Sequence, residues 1–228
     1  MQCQICNNTT WIFYKDENGN EFVKPCECRE RVIAQKRLFA SGISEEDSKK
    51  GFGGFNTFNE PALELAKSTA TLYYQNFATI EGERINSCML CGSSGRGKTT
   101  LGLAIANNLI KSGVGVRYMP YRDEVTALKQ HLGNADKTLY QDTMYRLKNA
   151  RVLFIDDLLK GKVNETDINI MYEIINHRYL QRLPVIISTE KTIEQLLEFD
   201  EAIGSRLIEM SKGYIITFDS SVPNYRLR

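Results

Sequence analysis

The chain has 228 residues, of which 42% are hydrophobic and 25% are charged, and its formal net charge is +1. This composition is ordinary for a globular protein with one well-cored domain and a small appendage, and it excludes disordered and fibrous classes. The near-neutral charge excludes a strong overall attraction to nucleic acid, so DNA binding would depend on local basic patches. No stretch approaches the ~18 consecutive apolar residues of a membrane span, and MQCQICNNTT lacks the apolar run of a secretory signal. We therefore expect a cytoplasmic protein with no membrane partner.

The N-terminal segment carries two tight cysteine pairs, Cys3 with Cys6 and Cys26 with Cys28. Between them, WIFYKDENGNEFVKP contains an Asn-Gly dipeptide that predicts a β-hairpin with a two-residue turn. Because cytosolic thiols are kept reduced, we interpret the cysteines as metal ligands or buried thiols and not as disulfides. Four thiolates without a nearby histidine fit a closed tetrahedral zinc site, which would stabilise a segment too small to bury its own core. The alternative is a set of free thiols on a frayed terminus.

The next segment is predicted to join this unit to a larger domain. The sequence ECRERVIAQKRLFAS predicts a charged helix that ends at Gly42. Residues 41–54 are polar and glycine-rich and lack apolar periodicity, which is typical of a joint between domains. We therefore expect a zinc-binding unit with its connecting helix over residues 1–50 and a core domain over residues 51–228.

The core domain alternates short apolar runs with helical patterns. Pro61 begins a helix whose apolar residues recur at helical spacing, and proline suits the first turn. The predicted strands that follow are SCMLCG, VGVRYMPY, RVLFIDD, LPVIIST and GYIITF, with helices between them. This order predicts an α/β fold with a parallel five-stranded sheet flanked by helices on both faces.

A phosphate-binding loop lies between the first of these strands and its helix. Residues 92–99 match the pattern G-x-x-x-x-G-K-[ST], whose backbone N–H groups converge on phosphate oxygens at a helix N-terminus. We expect Lys98 to reach the β- and γ-phosphates of ATP or the phosphates of ADP, and the Thr99 hydroxyl to hold Mg²⁺. The flanking elements disfavour the alternative of a chance glycine-rich turn. The predicted nucleotide-binding residues are Gly92, Ser93, Ser94, Gly95, Arg96, Gly97, Lys98, Thr99 and Thr100.

Two acidic residues end the strand RVLFIDD. A buried strand that delivers two carboxylates at its carboxyl end is what nucleotide hydrolysis needs. We expect Asp156 to hold Mg²⁺ and Asp157 to orient and polarise the attacking water. By themselves the two aspartates could equally start a turn, but the phosphate loop upstream favours the catalytic interpretation.

The segments GSSGRGKTT, VLFIDD, VIISTE and GSRL, in this order, resemble the DnaC/DnaI-type helicase loaders of bacteria and phages. Those loaders are AAA+ ATPases related to the DnaA initiator. The resemblance covers roughly residues 52–228, and the cysteine pairs strengthen it because zinc-binding N-terminal domains occur in DnaI-type loaders. It implies an ATPase that self-associates in an ATP-dependent way and loads a hexameric DnaB-type replicative helicase onto single-stranded DNA. The N-terminal unit would contact the helicase.

The resemblance also assigns roles near the phosphates. Ser188 and Thr189 lie where the family places its sensor of the γ-phosphate, although Glu190 follows where relatives often have Asn. Phe55 to Phe58 would lie near the adenine. The short sequence after GYIITF implies that the helical lid of many AAA+ proteins is absent, with Arg226 as a weak substitute for the arginine of that lid.

Arg206, in IGSRL, lies where the DnaA/DnaC group carries its arginine finger, which reaches the ATP of a neighbouring subunit. The predicted catalytic set is therefore Lys98, Asp156, Asp157, Thr189 and Arg206. From position alone, Arg206 would be a helix-surface arginine paired with Glu201 or Glu209.

Basic and aromatic residues between the second and third core strands are candidates for DNA contact, because the family has channel-lining helices there. Such side chains bind phosphates and stack on bases, whereas the alternative is an ordinary solvated helix face. The candidates are Lys129, Lys137, Tyr140, Tyr145, Arg146 and Lys148.

Cys88 and Cys91 form a further Cys-x-x-Cys pair, but strand residues three apart face opposite sides of a sheet. We therefore expect buried thiols and no redox site. Three other functions remain open. They are a transposition-helper ATPase of the IstB type, a small nucleotide kinase, and a zinc-bearing adaptor that binds ATP only as a switch.

Overall fold

The computed structural model describes residues 3–133, 137–218 and 224. At its N-terminus, β1 (Trp11–Lys15) and β2 (Glu21–Pro25) form an antiparallel hairpin. The helix α1 (Cys28–Ser41) follows and ends at Gly42, whose φ of 78° is left-handed, as predicted.

The hairpin turn differs from the prediction. Lys15 pairs with Glu21, so the connection is longer than two residues. The Asp16 carboxylate accepts hydrogen bonds from the backbone N–H groups of Asn18 and Asn20, at 2.8 and 2.9 Å. The Asp16 side chain thus organises a five-residue loop between the two strands. Gly19 lies inside this loop and has a positive φ.

The core is a five-stranded sheet in the order β4-β5-β6-β3-β7, and every neighbouring pair is parallel. The prediction of a parallel sheet is confirmed. Its strands are β3 (Cys88–Gly92), β4 (Val116–Pro120), β5 (Val152–Leu158), β6 (Val185–Thr189) and β7 (Ile215–Phe218).

Helices cover both faces of this sheet. They are α2 (Pro61–Ile80), α3 (Lys98–Lys111), α4 (Tyr121–Leu132), α5 (Thr138–Asn149), α6 (Glu165–Leu180), α7 (Ile193–Phe199) and α8 (Glu201–Met210). One buried layer lies under α2 and α3, and the other lies under α4 to α8. Cys88 belongs to the first layer and Cys91 to the second, so the prediction of buried thiols on opposite faces is confirmed.

The helix that carries the phosphate loop packs closely on the sheet. A Cβ atom at Gly102 of α3 would overlap the ring of Phe154 on β5. Glycine at this position therefore lets α3 approach the strand that ends in the two aspartates. This close approach fixes the distance between the loop and the acid pair.

The predicted joint lies against the core. Ile43 and Phe55 are buried in the layer under α2 and α3. The Asn107 amide of α3 donates hydrogen bonds to the carbonyls of Asp47 and Lys50, both at 2.7 Å. A polar side chain thus binds a segment that offers few apolar ones. In the part of the chain that the structure describes, no helix has the length and apolar character needed to cross a membrane. Arg226 and the region of the expected missing lid lie outside the described residues.

Candidate functional site

The phosphate loop links β3 to α3 at the carboxyl edge of the sheet. Gly92, Gly95 and Gly97 have φ values of 131°, 78° and 90°, which favour glycine. A Cβ atom at Gly92 would also overlap the backbone carbonyl of Phe218 on β7. Position 92 therefore requires glycine for both its conformation and the space available. The loop then leads into the N-terminus of α3.

Lys98 is the first residue of α3 and is only 5% exposed. Its Nζ donates a hydrogen bond to the Ser93 carbonyl at 2.8 Å, which holds the ammonium over the loop. Burial lowers the pKa of Lys98, and the carboxylates of Glu190 and Asp157 oppose that effect. The ammonium thus lies in a site where an anion would offset its loss of hydration.

Asp156 on β5 is 6% exposed and accepts hydrogen bonds from three hydroxyl groups. Thr99 Oγ1 and Tyr118 Oη each lie 2.9 Å from the carboxylate, and Ser188 Oγ contacts the same oxygen as Thr99. Burial raises the pKa of Asp156, whereas the hydroxyl groups act to lower it. Thr99 and Asp156 are side by side, as a shared Mg²⁺ would require.

Asp157 has a left-handed backbone with a φ of 57°. The register between β5 and β6 is irregular at this point, and the Asp157 N–H donates to Ser188 Oγ at 2.8 Å. Its carboxylate accepts from Lys160 Nζ at 2.8 Å. A left-handed backbone at a non-glycine residue costs free energy and persists only where the surrounding structure holds it. Such residues cluster at functional sites.

The two predicted sensor residues face different partners. Ser188 contacts both aspartates, as described above. The Thr189 hydroxyl donates to the Leu158 carbonyl at 3.0 Å and accepts from the Lys191 N–H at 3.2 Å. Both residues are fully buried, and Ser188 is the member of the pair in contact with the acid pair.

A cavity of 280 Å³ opens over the loop. Three residues of the predicted phosphate loop do not line this cavity, namely Gly92, Ser93 and Arg96. Phe55, which is buried, and Phe58, which is 40% exposed, both line this cavity, and their place near the adenine stays a prediction. The lining residues are Gly54, Phe55, Asn56, Phe58, Ser94, Gly95, Gly97, Lys98, Thr99, Thr100, Asp157 and Lys160.

Arg206 lies on α8, where its guanidinium packs against α6. Its Nε donates to Asn176 Oδ1 at 3.1 Å and its Nη1 donates to the Ala202 carbonyl at 2.6 Å. Among the residues that the structure describes, Arg206 forms no ion pair, so pairing with Glu201 or Glu209 is not observed. Glu209 instead lies beside Arg84. Arg206 is not among the residues that line the cavity of its own chain.

The DNA-contact candidates are divided between paired and unpaired side chains. Lys129 forms an ion pair with the buried Asp167 at 2.6 Å, and Lys148 pairs with Glu173 at 3.0 Å. Tyr140 is partly buried against the core. The exposed candidates are Lys137, Tyr145 and Arg146. Within the described ranges, neither Lys137 nor Arg146 forms an ion pair.

The four N-terminal cysteines converge, with every ligand sulfur within 4.8 Å of the others. Cys3 Sγ lies 3.8 Å from Cys26 Sγ, and Cys6 Sγ lies 3.4 Å from Cys28 Sγ. A tetrahedral zinc ion with Zn–S bonds of about 2.3 Å would set its sulfurs about 3.8 Å apart. The cluster therefore fits zinc.

Sequence reasoning missed two side chains of the site. Tyr118 lies on β4, and its hydroxyl reaches Asp156 only because β4 is the neighbour of β5. Lys160 contacts Asp157, and its spacing of three residues was the available signal. Tyr118 could have been suspected from its place near the carboxyl end of a parallel strand.

A family model described as IstB-like ATP binding protein matches residues 57–209, which include the phosphate loop, the acid pair and Arg206. The chain belongs to this family. This IstB-like chain is 40% identical over 215 residues to uncharacterized protein YqaM of Bacillus subtilis, an alignment that covers 90% of the chain and 67% of YqaM. It is 25% identical over 199 residues to the replicative helicase loader DnaC of Escherichia coli, covering 87% of the chain and 78% of DnaC.

The crystal structure of DnaI has the same fold as the IstB-like chain. Its TM-score is 0.64 with 23% sequence identity, and the match covers 81% of this chain and 95% of the DnaI chain. The resemblance to DnaC/DnaI-type AAA+ proteins is therefore confirmed, as is the relation to IstB-type ATPases. Family membership implies a nucleotide-binding ATPase domain. It does not separate a helicase loader from a transposition helper, and it gives no support to a kinase.

Proposed function

We propose that this chain binds and hydrolyses ATP and uses that cycle to load a hexameric replicative helicase onto single-stranded DNA. The observation that carries the ATPase part is the convergence of Lys98, Thr99, Asp156 and Asp157 at one edge of the sheet. The loader part is supported by the 25% identity to a protein named replicative helicase loader. The N-terminal cysteine cluster supports it as well, through the resemblance to DnaI-type loaders.

Each residue of the site has a proposed task. The loop backbone and Lys98 bind the phosphates, and Thr99 with Asp156 would hold Mg²⁺, which neutralises phosphate charge when bound. Asp157 polarises the water that attacks the γ-phosphorus, giving ADP and inorganic phosphate. Because Ser188 rather than Thr189 contacts the acid pair, we assign the sensor role to Ser188 and the support of the strand end to Thr189.

Arg206 is proposed to act in trans in an ATP-dependent oligomer. Its position away from the cavity of its own chain is compatible with a role at a neighbouring site. Its contacts with Asn176 and the Ala202 carbonyl hold the guanidinium on α8 without neutralising it. A fixed and still charged guanidinium suits the binding of phosphate oxygens.

The unit over residues 1–50 is proposed to bind one Zn²⁺ and to contact the helicase, while residues 51–228 form the ATPase core. Phe13 and Val23 are directly opposite each other on the hairpin and are 74% and 52% exposed. Apolar side chains grouped in this way on a small unit are typical of protein contact surfaces. Lys137, Tyr145 and Arg146 are the proposed contacts to single-stranded DNA.

A loading assay with a purified DnaB-type helicase and circular single-stranded DNA tests this function. We expect the intact chain with ATP to increase the amount of helicase on the circles. Lys98→Ala should fail through loss of nucleotide binding, whereas Phe13→Ser with Val23→Ser should bind nucleotide normally and fail to bind the helicase. If both variants load the helicase as well as the intact chain does, the proposal is contradicted.

The IstB-type alternative has a specific observation in its favour, since the matching family model carries the IstB-like description. A transposition helper of this kind would use the same ATP site. Affinity capture with the intact chain separates the two functions. Recovery of a replicative helicase favours the loader, and recovery of a transposase in its place favours the helper.

A further inference from the structure

A second lysine lines the cavity over the phosphate loop. Lys160 follows β5, and its Nζ lies 2.8 Å from Asp157 Oδ2 and 3.2 Å from Glu190 Oε1. Its side chain is 36% exposed, so the ammonium is at the cavity wall and not in the core. Lys98 is the other lysine of the lining and makes its hydrogen bond to a backbone carbonyl.

The ion pair between Lys160 and Asp157 bears on the proposed chemistry. A carboxylate polarises water through its negative charge, and the Lys160 ammonium bound to Asp157 Oδ2 partly offsets that charge in this structure. A bound γ-phosphate would bring more negative charge into the cavity than one carboxylate carries. It would therefore compete with Asp157 for the Lys160 ammonium.

Glu190 gives Lys160 a second anchor that does not depend on Asp157. It belongs to the segment after β6, and Lys160 belongs to the segment after β5, so their pairing joins two neighbouring strand ends. If Asp157 releases the ammonium, Glu190 still holds it at the cavity wall. The lysine can then change partner without leaving the site.

We propose that Lys160 is a γ-phosphate sensor that acts within its own chain. It binds Asp157 when the γ-phosphate is absent and binds the γ-phosphate when ATP is present, which frees the Asp157 carboxylate for water. Glu190 is a positioning residue for this exchange. The inference rests on the proposed ATPase function and adds to it a residue that distinguishes ATP from ADP.

A purely structural ion pair between Lys160 and Asp157 would have different consequences for nucleotide affinity. Partly exposed pairs contribute at most about 1 kcal/mol to stability and are screened by salt. In that case the loss of Lys160 would change the melting temperature slightly and would leave the preference between nucleotides unaltered. The ratio of two nucleotide affinities therefore separates a sensor from a structural pair.

The experiment measures the affinity of the zinc-loaded full chain for ADP and for a non-hydrolysable ATP analogue by isothermal titration calorimetry. Lys160→Met should bind ADP like the parent and lose about tenfold in affinity for the analogue, because one charge-assisted hydrogen bond is removed. Lys160→Arg should restore part of the loss. Lys162→Met, an exposed neighbour, is the matched control and should equal the parent.

An unchanged ratio of the two affinities in Lys160→Met, or an equal change in Lys162→Met, overturns the sensor role while leaving the ATPase proposal intact. A parent chain that binds neither nucleotide overturns both. If Lys160→Met fails to fold, Lys160→Gln takes its place, with a loss in the same direction expected and an unchanged ratio as the contrary result.

Discussion

The nucleotide edge of the sheet and the four-cysteine unit are built in opposite ways. At the sheet edge, Lys98 and Asp156 are 5% and 6% exposed, and helices cover both faces of the strands beneath them. In the N-terminal unit the buried cluster consists of Cys6, Cys26 and Cys28. Folding of the core positions the first site, whereas we expect the geometry of the second to depend on a metal bound by its thiolates.

We therefore expect the nucleotide and the metal to stabilise different regions of the chain. A phosphate site held by hydroxyl groups and by glycines of positive φ is built by the fold of the core itself. A unit with little apolar core gains its folding free energy from its metal. Loss of zinc should therefore affect the unit and spare the ATP site, and loss of nucleotide binding should do the reverse.

The largest effect is expected from removal of zinc. Structural zinc contributes an apparent ~10–16 kcal/mol to small metal-binding units, so chelation or Cys26→Ser should unfold the hairpin. Trp11 is the single tryptophan of the chain, and its ring lies 3.7 Å from the Arg29 guanidinium carbon. Loss of this contact should change its fluorescence emission. ADP affinity should stay at the parent value.

Lys98→Ala is the matched control for this first experiment, since it should lose nucleotide binding and keep one Zn²⁺ per chain. Elemental analysis that finds no metal in protein purified without chelator would overturn the zinc assignment. Simultaneous loss of ADP binding on chelation would show that the two regions are coupled.

The second effect concerns Arg206. We expect Arg206→Ala to bind ATP nearly normally and to lose on the order of 10³-fold in hydrolysis, because an arginine finger covers charge that develops in the transition state. Mixing Arg206→Ala with Lys98→Ala should restore part of the activity, since mixed assemblies contain some complete interfaces. Co-assembly without any restored activity would contradict the trans role.

The sequence alone indicated the phosphate loop, the acid pair and the parallel sheet, because each depends on local pattern. The P-loop pattern has fixed spacing, and Asp156 and Asp157 end an apolar strand. The loop and the acid pair follow from chemistry within a few residues, and the parallel sheet follows from the alternation of strands and helices along the chain.

Contacts between distant elements could not be predicted in this way. The hydrogen bond from Tyr118 to Asp156 depends on the strand order, and the approach of Lys160 to Glu190 depends on the register of β5 and β6. The hairpin loop was wrongly predicted because the Asp16 carboxylate competes with the Asn-Gly turn for backbone N–H groups.

The smallest effect is expected at the proposed DNA contacts. Lys129 forms an ion pair with the buried Asp167, so removal of Lys129 would disturb folding. We therefore choose Lys137 and Arg146 as the two residues to change. Lys137→Ala with Arg146→Ala should weaken single-stranded DNA binding regardless of sequence. The slope of log affinity against log salt should become shallower by about 0.7 per lost phosphate contact. Fluorescence anisotropy over a salt series measures both quantities.

Lys111→Ala, at the exposed end of α3, is the control for this DNA experiment and should match the parent. A double variant whose binding isotherm and salt slope equal those of the parent would place the DNA contacts elsewhere on the chain.

The most direct test of the proposed ATP site compares phosphate release and ATP affinity in the parent chain and in Asp157→Asn. We expect the parent chain to hydrolyse ATP. We expect Asp157→Asn to bind ATP with similar affinity and to release phosphate at least about 100-fold more slowly, because the carboxylate that polarises the attacking water is lost. Equal rates of phosphate release by the two proteins would contradict the proposed site.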